Sequence, residues 1–331
     1  LRLIFLRKIL ARKPATFHTQ ARCQQLKKTD QMKNKVLYLT IITMMIFSSC
    51  SKELSSIADK TAEQISATYE IKKDVSYGTD AEQNMDIYLS KVAKSYGKNN
   101  YTIVFLHGGA YYLSDKTEEE RYIEPYIKKG LNVVNMNYRL KRGISLATSD
   151  LSNALNFLKE KNDTYNLNLN NIIVTGFSAG AQIATNVGLS QNNSSFPDKL
   201  GNGIEIKGII NFSGPVDDLD VIEKIFVDFD YELFSMAGKA LFPSEGYEKK
   251  EVVSVYEPMT YFDKNDPPIF LWHGGNDNQI PPETFEDFTK KFRDNKDYLS
   301  YIPKGKHSPT TEELEDAYSK IFMFLDDLKN K

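Results

Sequence analysis

The chain has 331 residues, 41% of them hydrophobic, which is enough for one large domain with a buried core. The formal charge of −2 hides an asymmetry: residues 1–49 carry ten Lys/Arg and one acid, Asp30, so the remainder holds 32 basic and 43 acidic residues, a net of −11. A body this acidic argues against nucleic acid or an anionic membrane surface as its ligand.

The basic start reads as a processing segment. Met32-Lys33-Asn34-Lys35 is a short positive stretch, and Val36 to Phe47 is an apolar core of 12 residues. That length suits an export signal and is short for a bilayer span. Ser48-Ser49-Cys50 then places a cysteine after small residues, as in a bacterial lipobox, although Phe47 stands where leucine is more usual. The expectation is a signal peptide at 32–49, with Cys50 as the lipidated residue. Residues 50–70 then form an anchor and polar tether. The protein is thus expected to be an exported lipoprotein, periplasmic or at the cell surface. The only other cysteine is Cys23, upstream of Met32. An acylated Cys50 therefore leaves a mature protein without disulfides. Residues 1–31 lack periodicity and are expected to be a non-native upstream extension.

Residues 71–331 read as the folded domain. Ile71–Tyr77 and Gln83–Leu89 alternate apolar and polar and fit an antiparallel hairpin. Apolar strand-type runs follow at Thr102–Leu106, Leu131–Asn137, Asn171–Thr175, Ile206–Phe212, Ile269–Trp272 and Tyr298–Ile302. Helical patterns lie between and after them, near Glu118–Lys129, Ile144–Glu160, Ala179–Leu189, Pro282–Asn295 and Thr311–Lys329. This alternation predicts an α/β fold, a mostly parallel sheet covered by helices on both faces. Residues 215–267 break the rhythm and are rich in aromatics such as Phe226, Phe229, Tyr231 and Phe234. They read as core packing or as a cap insertion over the site. Asp217-Asp218-Leu219-Asp220 within them reads as a solvated helix start, since a calcium loop's glycine spacing is missing.

The chemistry gathers at strand ends. Gly176-Phe177-Ser178-Ala179-Gly180 follows one strand and opens a helix, the setting of a nucleophile elbow. A sharp turn there lifts the serine hydroxyl above the sheet, and side chains two residues either side would collide with it. A serine needs a base. Of the four histidines, His18 lies in the upstream segment, and His107 and His273 end strands as structural residues. His307 sits in a late loop, Pro303 to Pro309, free to reach Ser178. Asp277, just past the strand ending at Trp272, is the candidate to orient its imidazole. The chain order Ser178, Asp277, His307 is that of an α/β-hydrolase. Acyl transfer also needs N–H donors for the oxyanion. Ala179, after the serine, and Gly108 or Gly109, after another strand, are the candidates.

On these motifs, with Met85-Asp86-Ile87-Tyr88, Asn137-Tyr138-Arg139-Leu140 and His273-Gly274, the chain resembles the α/β-hydrolase esterases from about Ile71 onward. It resembles especially the small bacterial carboxylesterase, feruloyl-esterase and acetylesterase group with an HGG motif. Many of those read H-G-G-G or H-G-G-x-W where this chain has His107-Gly108-Gly109-Ala110-Tyr111-Tyr112. Tyr111 and Tyr112 are therefore expected to wall the substrate pocket, and substrate size stays open. The resemblance implies a serine carboxylesterase acting through an acyl-enzyme on short acyl or feruloyl esters, including those of plant polysaccharide fragments. Its expected partner is a small-molecule or oligosaccharide ester, with membrane contact only through the anchor. No metal or organic cofactor is expected, because no H-E-x-x-H and no Cys/His cluster is present. An amidase, arylformamidase or peptidase on the same fold remains an alternative, as does a catalytically silent binding protein. Oligomeric state stays open.

Overall fold

A computed structural model describes residues 67–243 and 248–328. The segment 1–31, the expected signal at 32–49, Cys50 and most of the tether 50–70 lie outside the described residues.

Eight strands form one sheet in the order β1-β2-β4-β3-β5-β6-β7-β8. They are β1 (Tyr69–Ser76), β2 (Asn84–Ser90), β3 (Thr102–Leu106), β4 (Asn132–Met136), β5 (Ile172–Phe177), β6 (Ile206–Phe212), β7 (Ile269–Gly274) and β8 (Tyr298–Ile302). The β1–β2 hairpin is antiparallel and joins β4 antiparallel; every pairing from β4 to β8 is parallel. The expected mostly parallel sheet is therefore present.

The strand sequences explain the layering. In β3 all five residues are buried, yet Ile103 and Phe105 join one core while Val104 and Leu106 join another. That is the period-2 alternation of a strand with both faces covered. Helices α1 (Glu124–Lys129) and α7 (Thr311–Leu328) bury Tyr126, Ile321 and Phe324 on the Phe105 side. Helices α2 (Ile144–Glu160) and α3 (Ala179–Ser190) bury Leu151, Leu155, Ile183 and Val187 on the Leu106 side. Every residue of α3 is buried, and a Cβ on its Gly188 would lie 2.6 Å from Ile209 Cδ1. The small residues after Ser178 therefore let this helix lie close on β5 and β6.

Two expected helices differ. The pattern over Pro282–Asn295 yields only a 3-10 turn at Pro282–Thr284 and one helical turn at Glu286–Thr289. Phe285 between them leaves helical geometry (φ −146°, ψ −12°), and its ring packs 3.9 Å from the His273 ring. Arg293 is drawn away to the carbonyls of Asp263, Asp266 and Pro267. Tertiary contacts here override a modest helix preference. The pattern from Glu118 likewise becomes a 3-10 turn at Glu120–Tyr122, and helix begins only at Glu124, where Pro125 suits a first turn. Between β6 and β7, the stretch expected as cap or core is helical: α4 (Leu219–Asp228), α5 (Glu232–Lys239) and α6 (Lys249–Tyr256). Asp218 stands at the α4 N-cap without a side-chain cap bond. The Leu219 N–H instead donates to Glu257 Oε2 at 2.9 Å.

One buried ion pair ties the antiparallel edge to the main body. Asp150 on α2, fully buried, accepts from Arg139 Nη2 at 2.6 Å, from the Arg139 backbone N–H at 2.8 Å and from Gln83 Nε2 at 2.8 Å. Replacing Arg139 with leucine leaves that carboxylate without its cation, which typically costs about 3–5 kcal/mol. Urea unfolding of the variant should show a loss of that order, and a loss below about 1 kcal/mol would refute this role.

Candidate active site

The parallel strands end together at one edge, and β3 and β5, on either side of the switch in winding direction, open a crevice there. Ligands of such sheets bind beyond those ends. A larger groove of about 850 Å³ lies at the opposite edge, near Asn171, Ile206 and Pro268 where strands begin, and none of the candidate residues lines it.

Ser178 follows β5 directly, with φ 53° and ψ −120°, a conformation that costs a non-glycine residue about 1–3 kcal/mol. The turn is over-determined by its surroundings. The Ser178 N–H donates to the Phe212 carbonyl at 2.8 Å. A Cβ on Gly176 would lie 2.4 Å from the Gly180 carbonyl carbon, and one on Gly180 would lie 2.3 Å from the Leu106 oxygen. Both glycines of the motif are therefore required by contact.

His307 Nε2 lies 2.9 Å from Ser178 Oγ, and His307 Nδ1 lies 2.6 Å from Asp277 Oδ2. The structure thus brings together the three residues singled out from sequence. Asp277 is buried, and its Oδ1 accepts the N–H groups of Gln279 and Ile280, each at 2.9 Å. Its other oxygen is thereby aimed at the imidazole. The His307 loop is fastened in turn: Ser213 Oγ donates to the His307 carbonyl at 2.8 Å, and Arg121 donates to Ser308 Oγ and the Pro309 carbonyl. A Cβ on Gly274 would lie 2.3 Å from the Lys306 oxygen, so only glycine lets this loop lie on the end of β7.

His273 and His107 are both fully buried. Burial holds each imidazole down at about 4, so both are neutral at pH 7. His273 Nε2 donates to the Ile280 carbonyl at 2.8 Å and stays 3.7 Å from Asp277 Oδ2. The Asp277 oxygen is left to His307. His107 Nδ1 donates to the Gly108 carbonyl at 2.6 Å, and its ring stacks on Tyr138 at 4.4 Å.

The turn after β3 departs from expectation at one donor. The Gly108 N–H donates to Glu119 Oε2 at 2.9 Å, so it is not free for a ligand. Gly109 and Ala110 line the cavity beside Ser178, both with positive φ (107° and 55°). Ala110 takes the position of the third glycine in H-G-G-G. A Cβ on Gly109 would lie 2.0 Å from the Leu113 oxygen. Ala179 is the first residue of α3, and its N–H has no partner within the helix.

Tyr111 and Tyr112 do not line the cavity. Tyr111 is 4% exposed, and its hydroxyl donates to Gln182 Oε1 at 3.0 Å. Gln182 Nε2 in turn holds the Tyr256 carbonyl at 2.6 Å, so Tyr111 belongs to the packing under the inserted helices. Tyr112 packs beside the core with Lys141 Nζ 5.3 Å from its ring centre. The positive φ of Ala110 and Tyr111 turns the chain so that Ala110 and Leu113 face the cavity instead. The other wall is Phe226 from α4 with Leu233, Phe234 and Ala237 from α5. The cavity is about 110 Å³ and mainly apolar, with Gln279 at its polar side. Glu119, Ser213 and Arg121 carried no sequence signal: each matters through a tertiary contact alone. Among the described residues no group of three His, Cys, Asp or Glu side chains is placed to hold a metal ion.

An eight-stranded, mostly parallel sheet with a strained serine between β5 and α3 defines the α/β-hydrolase class. Residues 85–292 match the BD-FAE family, and the chain belongs to it. It is 23% identical over 233 residues to Esterase LipC of Mycobacterium tuberculosis, covering 68% of this chain and 56% of that protein. It is 21% identical over 226 residues to Endo-1,4-beta-xylanase B of Butyrivibrio fibrisolvens, covering 63% of this chain and 32% of that one. The chain thus spans between about a third and just over half of these curated relatives. Among solved structures, Esterase B of Lactobacillus Rhamnosis superposes with a TM-score of 0.63 at 18% identity, covering 84% and 95% of the two chains. A truncated carbohydrate esterase from gut microbiota gives 0.60 at 21%, covering 80% and 98%. These likenesses establish the fold.

Proposed function

We propose that the protein is a serine carboxylesterase that removes acetyl and other short acyl groups, with carbohydrate esters as its substrate class. The observation that carries this reading is the hydrogen-bonded line from Ser178 Oγ through His307 to Asp277. His307 takes the Ser178 proton as the hydroxyl attacks the ester carbonyl. The N–H groups of Ala179, Gly109 and Ala110 receive the oxyanion. The alcohol leaves with the proton from His307, and water, activated by the same imidazole, releases the acid. Membership of the BD-FAE family supports the reaction class. A xylanase and a carbohydrate esterase among the relatives support the carbohydrate.

The cavity supports the short acyl group. An apolar cavity of about 150 Å³ is known to take up benzene, and this one is smaller, about 110 Å³. Its size suits acetyl to butyryl chains better than a feruloyl ring. In a series of p-nitrophenyl esters, kcat/KM for acetate and butyrate is expected to exceed that for octanoate by about tenfold or more. Acetate should also be released from acetylated xylo-oligosaccharides, and methyl ferulate should be a poor substrate. A preference for octanoate or ferulate would overturn the short-acyl assignment; no turnover of any ester would overturn the esterase reading itself.

A further inference from the structure

Within the turn that presents Gly109 and Ala110, the Tyr112 and Leu113 N–H groups both donate to the Gly109 carbonyl at 3.0 Å. Gly109, Ala110, Tyr111 and Ser114 all have positive φ, which disfavours every residue with a Cβ. Such a conformation persists only where neighbours over-determine it. Its carbonyls are held from one side: Tyr138 Oη donates to the His107 oxygen at 3.0 Å and lies 3.3 Å from the Gly108 oxygen, which also accepts His107 Nδ1. The Gly108 N–H is held in turn by Glu119 Oε2 at 2.9 Å, and further along the chain the Lys141 N–H donates to the Tyr111 carbonyl at 2.8 Å. The second Glu119 oxygen would lie 3.2 Å from a Cβ on Gly108, so the carboxyl lies close against the backbone. The Gly108 residue is therefore fixed at both its N–H and its C=O, and the next two N–H groups along the chain are those of Gly109 and Ala110.

We propose that Glu119 is the positioning residue of the oxyanion turn: by holding the Gly108 N–H it sets the direction in which Gly109 and Ala110 present theirs to the ester oxygen. This inference rests on the esterase reading above. The role calls for an acceptor oxygen and not for a charge. A full negative charge so near a developing oxyanion would work against it. Burial pushes the Glu119 carboxyl up to about 7, opposed by the Gly108 hydrogen bond and by Arg121, while Glu118 adds to the rise. The acceptor is thus offered near neutral pH with its charge partly suppressed. Two residues further on, Arg121 holds the His307 loop at Ser308 and Pro309, so one short segment braces both halves of the site.

The test compares Glu119→Leu and Glu119→Gln with the full chain, using p-nitrophenyl acetate. The leucine variant loses the acceptor and is expected to lose roughly ten- to a hundredfold in kcat, with KM changed less than about twofold. The glutamine variant keeps an oxygen acceptor and is expected to restore most of that loss. Retention of kcat by Glu119→Leu, in a chain where Ser178→Ala is inactive, overturns this inference and leaves the esterase reading standing. If the leucine variant does not fold, glutamine decides: a kcat at least tenfold below wild type at an unchanged Tm overturns the inference, and a kcat within about threefold supports it. A wild-type chain that hydrolyses no ester overturns both readings together.

Discussion

Replacing Ser178 with alanine is expected to lower kcat for p-nitrophenyl acetate by about 10⁶-fold while leaving the fold in place. The substitution removes one oxygen, and that oxygen's hydrogen bond goes to His307 Nε2. The backbone contact that fixes the turn, from the Ser178 N–H to the Phe212 carbonyl, survives. Alanine at φ 53° bears the same left-handed strain as serine, so stability should change by less than about 1 kcal/mol. What remains is the weak acceleration given by the oxyanion donors and by binding. A fluorophosphonate probe should label the wild-type chain and spare the variant. Labelling of Ser178→Ala, or hydrolysis at more than about a hundredth of the wild-type rate, would remove Ser178 from the mechanism.

Asp277→Asn is expected to cost about 10⁴-fold in kcat, with KM little changed. The direction follows from the second oxygen. Asp277 Oδ1 accepts two backbone N–H groups, from Gln279 and Ile280. An asparagine must keep its carbonyl oxygen there, because an amide NH₂ cannot accept. Its NH₂ is thereby forced toward His307 Nδ1, which then has to act as acceptor. That tautomer places a proton on Nε2, facing Ser178 Oγ, and the imidazole can no longer take the serine proton. The expected signature is a stable, well-folded, nearly inactive enzyme. Activity within tenfold of wild type would show that Asp277 does not set the tautomer.

Much of this arrangement is legible in the amino-acid sequence because its physics is local. The strands β3, β5, β6 and β8 are apolar runs bounded by turn residues, and the glycines around Ser178 are dictated by contacts under 2.5 Å. Asp277 and His307 each sit just past a strand end, where chain order and topology suffice to nominate them. The failures have a different cause. Tyr111 has the composition of a pocket wall, but a positive φ at Ala110 and Tyr111 turns it into the core, and backbone handedness leaves no mark at alanine or tyrosine. Gly108 has the spelling of an oxyanion donor, but the Glu119 carboxyl 11 residues away takes its N–H. Glu119 itself stands between two other glutamates, both exposed where Glu119 is not. The helix expected from Pro282 is interrupted at Phe285, which leaves helical geometry and packs its ring against His273, a contact the local sequence does not show.

Trp272 is the chain's single tryptophan, and it is fully buried at the C-terminal end of β7. Its carbonyl accepts the Ser213 N–H at 3.0 Å, and Ser213 Oγ holds the His307 carbonyl. The Trp272 main chain is therefore two hydrogen bonds from the His307 main chain, and Trp272 is next in sequence to His273. Excitation near the red edge of indole absorption isolates this one ring from the 19 tyrosines. Its emission should be blue-shifted while the strand end stays dry and should move red as water enters. The molecule thus carries an intrinsic optical reporter within the core of its own sheet, by which inactive variants with an intact scaffold can be told from collapsed ones in a cuvette.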